Sequence, residues 1–174
     1  MGYDFYLFDG AREFSRQDPL DVFLAEAQEN IGDPVPDKEL RKRNLLRALT
    51  ANLGFQWQEP DFAALARAEG TSESEAMRRH RTTRLVSAKS GSPMEVSIFD
   101  DLVLVVLSWS SREKRAGAVS AALKTLEVLR DYSGFVIYDI QCLKRVDPQA
   151  DASMILTAYQ EGCELAHQVS KRPL

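Results

Sequence analysis

The sequence predicts an α+β fold, one mostly antiparallel sheet of about five strands with helices packed on it. Three observations carry this. Met94-Glu95-Val96-Ser97-Ile98-Phe99 runs through Asp100-Asp101 into Leu102-Val103-Leu104-Val105-Val106-Leu107, which reads as two strands joined by a two-residue turn. The second run is apolar at successive positions, so that strand is expected inside the sheet and buried on both faces. A long helical pattern and then Phe135-Val136-Ile137-Tyr138-Asp139 follow, so the next strand is reached through a helix and can run parallel to its predecessor.

The elements follow in order. Tyr3 to Phe8 is short and aromatic, and Asp9-Gly10 closes it as a strand and turn. Asp18-Pro19 starts a helix, with Leu20, Phe23, Leu24 and Ala27 on one face. Asn30 to Pro36 is a loop, and Asp37 is expected to cap a helix over Lys38–Leu53 that ends at Gly54. This helix has Leu46, Leu49 and Leu53 on one side and Arg41, Lys42 and Arg43 elsewhere. Gln56-Trp57-Gln58 reads as a short extended piece, and Phe62 to Glu69 as a short helix closed by Gly70. Ser72-x-x-Glu75 forms a capping box for another over about 73–80.

From Arg81 to Ala88 the β-branched content predicts a strand, and Ser90-Gly91-Ser92-Pro93 a hairpin loop. Ser110-x-x-Glu113 is a second capping box, ahead of a helix with Ala116, Val119, Leu123 and Leu126 at seam spacing that stops near Gly134. Asp151 or Ser153 caps a last helix with Ile155, Tyr159, Cys163 and Ala166 inward. The order β-α-β-β-α-β within this string suggests a ferredoxin-like core with extra helices. The whole is read as one domain, 1–174: an acidic N-terminal strand and helices over 1–70, a sheet core over 71–148 and a C-terminal helix over 149–170.

The net charge of −4 is unevenly spread. Residues 1–37 hold nine acids and two bases, residues 38–92 eleven bases and six acids. Such halves compensate each other, or offer patches of opposite sign to a partner. The opening Met1-Gly2-Tyr3-Asp4 lacks the basic and apolar parts of an export signal, so a cytoplasmic protein with reduced thiols is expected. Tyr6 stands where a myristoylation motif needs Ser or Thr. Cys142 and Cys163 have no metal-ligand spacing, and Cys163 reads as a core residue.

Little in the chain specifies a reaction. His80 and His167 both sit near helix ends and lack companions at metal-ligand spacing. Asp100 and Asp101 are expected to point to opposite sides and to serve the hairpin turn. Arg78, Arg79, Arg81, Arg84 and Lys89 form an acid-free basic run. The run has no aromatic residue on which a base could stack and the chain is acidic overall, so a protein partner or a solvated sheet edge is favoured over nucleic acid. No P-loop, G-x-S-x-G, G-x-G-x-x-G or H-E-x-x-H pattern is present. No metal or cofactor is expected.

Tyr3-Asp4-Phe5-Tyr6-Leu7 resembles the S-Y-D-x-Y opening of small uncharacterised bacterial proteins. Arg79-His80-Arg81, Val96-Ser97-Ile98-Phe99-Asp100-Asp101, Tyr138-Asp139-Ile140-Gln141 and Arg145 are similar to the R-H, I-x-I-F-D-D, Y-D-P-Q and R pieces of their pattern. Ile140 replaces the proline. Proteins of this kind look like cytoplasmic immunity proteins, so the resemblance implies an inhibitor that neutralises a cognate bacterial toxin by direct binding, with no catalytic residues.

The expectation is therefore a noncatalytic binding module. Its candidate contacts are the acidic arm (Glu13, Asp18, Asp21, Glu26, Glu29), suited to a basic toxin, and Arg78, Arg79, Arg81 and Arg84, suited to an acidic one. The competing expectation is a small enzyme or ligand-binding domain with a pocket near Tyr138, Asp139, Trp109 and His80. Convergence of those four side chains is its test.

Overall fold

The computed structural model describes residues 2–10, 27, 33–87 and 93–170. Seven strands form one sheet: β1 (Gly2–Phe8), β2 (Gln56–Gln58), β3 (Thr83–Ser87), β4 (Met94–Ile98), β5 (Leu102–Ser108), β6 (Val136–Asp139) and β7 (Lys144–Val146). The helices are α1 (Pro36–Ala48), α2 (Phe62–Glu69), α3 (Glu73–Arg79), α4 (Arg115–Ser133) and α5 (Ala152–Ser170). A π-helical turn, Leu49–Leu53, extends α1, and a 3-10 turn, Arg112–Lys114, precedes α4.

The sheet order is β2-β3-β4-β5-β1-β6-β7, and every neighbouring pair is antiparallel. The α+β class and the mostly antiparallel sheet agree with the sequence; the strand number is seven, not five. Lys144-Arg145-Val146 adds an edge strand that its two cations concealed, and Gln56–Gln58 adds the other edge. β5 lies in the middle of the seven, as its apolar run requires. The Phe99 N–H donates to Leu102 O at 2.8 Å, closing the two-residue turn at Asp100-Asp101. β6 does not pair with β5: β1 lies between them, antiparallel to each, so β5 and β6 share a direction without touching.

Alternation along β1 sorts the two faces. Tyr3, Phe5 and Leu7 are buried toward the helices, while Asp4 and Tyr6 on the other side are half-buried. The main core joins the inward residues of β1, β3, β4, β5 and β6 to Leu45 and Leu49, to Ala118, Val119, Ala122, Leu126 and Leu129 of α4, and to Ile155, Tyr159 and Cys163 of α5. Full burial of one such large side chain stabilises the fold by about 1.5–3 kcal/mol.

Local signals set the helix ends. Asp61 accepts from Ala64 N and caps α2, and Ser72 accepts from Glu75 N and caps α3 as the capping box predicts. Gly134, at φ +71°, ends α4 in the left-handed region and turns the chain into β6. Three helix details depart from the sequence reading. Val35 rather than Asp37 is the N-cap of α1, because Pro36 takes the first helical position and Asp37 falls in the first turn. Ser111 rather than Ser110 precedes the 3-10 turn, and Ser110 Oγ instead lies 3.0 Å from the Tyr159 hydroxyl. The buried stripe of α4 runs through Ala118, Val119, Ala122, Thr125, Leu126 and Leu129; Ala116 is exposed and Leu123 half-buried.

Candidate binding face

The side of the sheet opposite α1, α4 and α5 is where the chain departs most from its expected burial. β5 should be buried on both faces. Its pattern instead alternates: Val103, Val105 and Leu107 are buried on the helix side, while Leu104 and Val106 are only half-buried. The strand register aligns a row across this second face: Gln58, Arg84, Ser97, Leu104, Tyr6, Tyr138 and Arg145. A parallel row runs Gln56, Val86, Glu95, Val106 and Asp4. Tyr6 and Tyr138 are direct cross-strand partners on β1 and β6, both half-buried. Phe8 and Leu102 are fully buried on this face in a small second cluster, with Tyr6, Tyr138, Phe99, Val136, Ile140 and Ala27 packed around them. Ala27 is helical, as its place in the predicted N-terminal helix requires.

The charges on this face differ in their pairing. Arg84 Nη2 donates to Glu95 Oε2 at 2.7 Å, and Arg145 Nη2 donates to Gly10 O at 3.4 Å. Asp4 Oδ1 is buried and accepts no hydrogen bond. Burial pushes the Asp4 carboxyl above the usual range, against the pull of the chain's own amino terminus. Burial and then the Asp4 charge push the Tyr6 phenol up as well. The Asp4 backbone is fixed, its N–H donating to Gln141 Oε1 at 3.2 Å. Gly2 lies so close to β5 that a Cβ there would meet Leu107 O at 2.8 Å and Val106 Cγ1 at 2.9 Å.

The predicted cationic run does not form a free patch. Arg78 pairs with Glu75 at 2.9 Å and with Asp33 at 3.0 Å, and Arg79 with Glu75 at 2.8 Å. Hydrogen bonds from these arginines hold the Glu75 carboxyl below its ordinary range. Arg84 is taken by Glu95. Arg81 is buried, its side chain 6% exposed, and its Nη2 reaches Asp100 Oδ2 at 2.7 Å. Glu75 comes from the same helix as Arg78 and Arg79, and Asp33, Glu95 and Asp100 come from other segments. Glu13, Asp18, Asp21, Glu26 and Glu29, like the Asp18-Pro19 start, Lys89 and most of the Ser90–Pro93 loop, lie outside the described residues.

Asp100 and Asp101 do not diverge. Both are gripped by α1, because a two-residue turn does not impose the alternation of a strand. Lys38 Nζ donates to Asp101 Oδ2 at 2.6 Å, Arg41 donates to the Asp100 carbonyl, and Lys42 pairs with Asp100. Lys42, which the sequence places away from the leucine side of its helix, is 3% exposed; its Nζ also reaches Glu39 Oε1 at 3.1 Å and Arg81 O at 3.2 Å. Burial alone pushes the Asp100 carboxyl up. The hydrogen bonds and charges of Lys42 and Arg81 outweigh it and leave the group below the carboxylate range. Arg41 also lies 4.6 Å over the Phe135 ring, tying the hairpin turn to the start of β6.

The four residues of the competing pocket do not converge. Tyr138 stands on the half-open face, and Asp139 is fully buried on the helix side. His80 caps α3 and pairs with Glu69 of α2. Trp109 packs edge-on to Tyr3 at 6.3 Å and tilted on Tyr159 at 5.4 Å. Tyr3, which the sequence reading did not connect to Asp139, donates its hydroxyl to Asp139 Oδ2 at 2.6 Å. The other Asp139 oxygen accepts from Gln141 N and Cys142 N, both at 3.0 Å. Burial pushes the Tyr3 phenol far up and raises the Cys142 thiol too, so neither is set up to ionise near neutrality. A cleft of about 370 Å3 between α4 and the β3–β4 end is walled by Phe55, Ser87, Met94, Gly117 and Lys124 and touches none of the four.

Among the described residues no three His, Cys, Asp or Glu side chains cluster as metal ligands, and no helix is long and apolar enough to cross a membrane. Comparison with known proteins adds no relative: no family model, no curated protein and no solved structure matches the chain.

Proposed function

We propose that the chain is a noncatalytic protein-binding module, a cytoplasmic immunity protein that neutralises a cognate bacterial toxin by direct binding. The observation that carries this reading is the half-open sheet face. Tyr6 and Tyr138 are cross-strand partners, with Leu104 beside Tyr6 on β5 and with arginines toward both ends of the row. Tyrosine and arginine around a partly dehydrated apolar centre are the composition of binding hot spots. The strand order β4-β5-β1-β6, with α4 bridging β5 to β6 over β1, supports a ferredoxin-like reading of the core. In that reading α1, α4 and α5 cover one face; on the other, helical Ala27 packs beside Phe8 and Leu102, and the half-buried Tyr6 and Tyr138 of the same cluster are offered to a partner.

The scatter of Tyr138, Asp139, Trp109 and His80 disfavours an enzyme pocket at that place. The resemblance in the Tyr3, Asp100 and Tyr138 segments supplies the toxin. The test is co-expression of the tagged chain with the product of its neighbouring gene. A stable one-to-one complex and rescue of growth are expected. Separate elution together with unrelieved toxicity would overturn the reading.

A further inference from the structure

We infer that the cleft between α4 and the β3–β4 end takes an aliphatic carboxylate, its chain laid into the buried part of the cleft and its head on Lys124. Ser87 and Met94 are cross-strand partners in the row that continues through Leu107 and Tyr3, so the site lies on the helix side of the sheet. It is separate from Tyr6 and Tyr138, goes beyond the proposed function and does not depend on it. Size and burial come first. The cleft holds about 370 Å3, within the range of about 300–1,000 Å3 in which pockets enclose small molecules. Its inner part is closed off from water: Phe55, Ser87 and Met94 are all buried. Half-buried Leu53 and Ala121 extend the apolar lining. A hollow of this kind costs the fold stability, because its lining forfeits the contacts that packed neighbours would supply.

Charge defines the head of the ligand. Gly117, Ser120 and Lys124 of α4 line the same cleft and are exposed, so they form its rim. Among the described residues that line the cleft, Lys124 is the one charged group. Lys124 makes no ion pair among the described residues, and Glu127, the acid one turn on, belongs to the neighbouring groove between α4 and α5. A lysine at a rim lays its stem along apolar surface and brings three rotatable donors to a carboxylate. Met94 is an unbranched, adaptable side chain, which suits a flexible aliphatic chain beneath. Gly117 is the second observation. Glycine destabilises a helix relative to alanine, and where it stands in one it usually has a packing reason. Gly162 has such a reason, since a Cβ there would lie 2.5 Å from the Trp109 ring. A Cβ at Gly117 would meet nothing within 4 Å. No described neighbour requires glycine at 117, whereas a ligand crossing the rim does, because a side chain there narrows the mouth.

The experiment titrates the 15N-labelled full chain with decanoate and, in parallel, with decyltrimethylammonium, which carries the same chain on a cation. Decanoate is expected to shift the amides of Phe55, Met94, Gly117 and Ala121 saturably, and the cation to bind about tenfold more weakly. Lys124→Glu should weaken decanoate about tenfold and strengthen the cation. Gly117→Leu narrows the rim and should abolish the decanoate shifts at an unchanged or raised melting temperature. Lys124→Glu keeps a good helix former at an exposed position, so it carries the test should Gly117→Leu not fold. The absence of saturable shifts with decanoate, equal affinity of the parent chain for both probes, shifts gathered at Leu123 and Leu156 of the α5 groove, or an unchanged response in Lys124→Glu would overturn the inference.

Discussion

The Tyr3 hydroxyl donates to Asp139 Oδ2 at 2.6 Å, joining residues 136 positions apart. Tyr3 is 1% exposed and Asp139 is fully buried. The same carboxylate gathers the backbone of Gln141 and Cys142 into the turn after β6, where Leu143 takes a left-handed φ of +51°. One buried bond thus ties the first strand to the loop that leads into β7. With the Asp4 N–H donating to the Gln141 side chain, the two segments of the sequence that both read Tyr-Asp meet in space.

Tyr3→Phe removes the hydroxyl and leaves Asp139 with its backbone donors only. A loss of about 1–3 kcal/mol in urea unfolding is expected, as for a buried acceptor deprived of one partner. The pH dependence has a definite sign. Burial raises the Tyr3 and Tyr6 phenols in the folded chain. Above about pH 10 the unfolded chain therefore loses phenolic protons that the folded chain keeps, and stability falls as pH rises. Below that value their contribution is fully present. Tyr3→Phe should flatten this alkaline limb, and an absorbance titration of the folded parent should show fewer titrating tyrosines than the five in the sequence. Full titration of all five before unfolding would refute the assignment.

Asp100 tests the opposite limb. Its folded-state carboxyl is held below the ordinary range, so its contribution is present above about pH 4 and lost as pH falls further. Asp100→Asn takes their shared carboxylate from Lys42 and Arg81, which are 3% and 6% exposed, and should cost about 3–5 kcal/mol. The acid limb of the stability curve should shrink but persist, because Asp147 and Asp151 are also lowered, chiefly by backbone N–H groups. Asp101→Asn is the contrast. Asp101 is 54% exposed in its pair with Lys38, and its loss should stay under about 1 kcal/mol. Equal effects at the two positions would show that the buried network does not hold the hairpin turn.

Most features that depend on neighbours in sequence were legible, although the caps expected at Asp37 and Ser110 stand at Val35 and Ser111; those that depend on distant partners were not. The strand of the β5 apolar run, the two-residue turn, the cap Ser72 and the stop at Gly134 are local, and each stands in the structure. Lys42 is a charged residue in a helix, and only the arrival of Asp100 58 positions later explains its burial. Arg84 looks unpaired in sequence because Glu95 reaches it from β4, whereas Arg78 and Arg79 are held by Glu75, three and four residues back in α3, with Asp33 and Glu69 adding contacts from outside that helix. The half-open face was hidden for a related reason. Apolar residues on both sides of β5 say that both faces avoid water, but not that one of them is only half covered.

The same substitution at two helical glycines should have opposite signs. A Cβ at Gly117 in α4 would meet nothing within 4 Å, and Gly117→Ala should stabilise by about 0.5–1 kcal/mol through reduced chain entropy. A Cβ at Gly162 in α5 would lie 2.5 Å from the Trp109 ring, and Gly162→Ala should destabilise by about 1–3 kcal/mol. In a chain of this size each kcal/mol moves the melting temperature by about 2–4 °C. Thermal melts check both. Trp109 fluorescence should shift only in the second variant, since the other tryptophan, Trp57, is 49% exposed on the edge strand β2.

The binding face should concentrate its energy at the tyrosine pair. Tyr6→Ala and Tyr138→Ala are each expected to weaken the complex with the co-eluting partner by about 2 kcal/mol or more, roughly 30-fold, measured by calorimetry. Tyr132, 55% exposed near the end of α4, is the control. It lies in a helix that packs on the other side of the sheet, so Tyr132→Ala should change affinity by less than about 0.5 kcal/mol. Melting temperatures separate a lost contact from a lost fold: Tyr6 and Tyr138 are only half-buried, and both variants should still unfold cooperatively. Strong loss at Tyr132 with none at Tyr6 and Tyr138 would move the interface to the helical side.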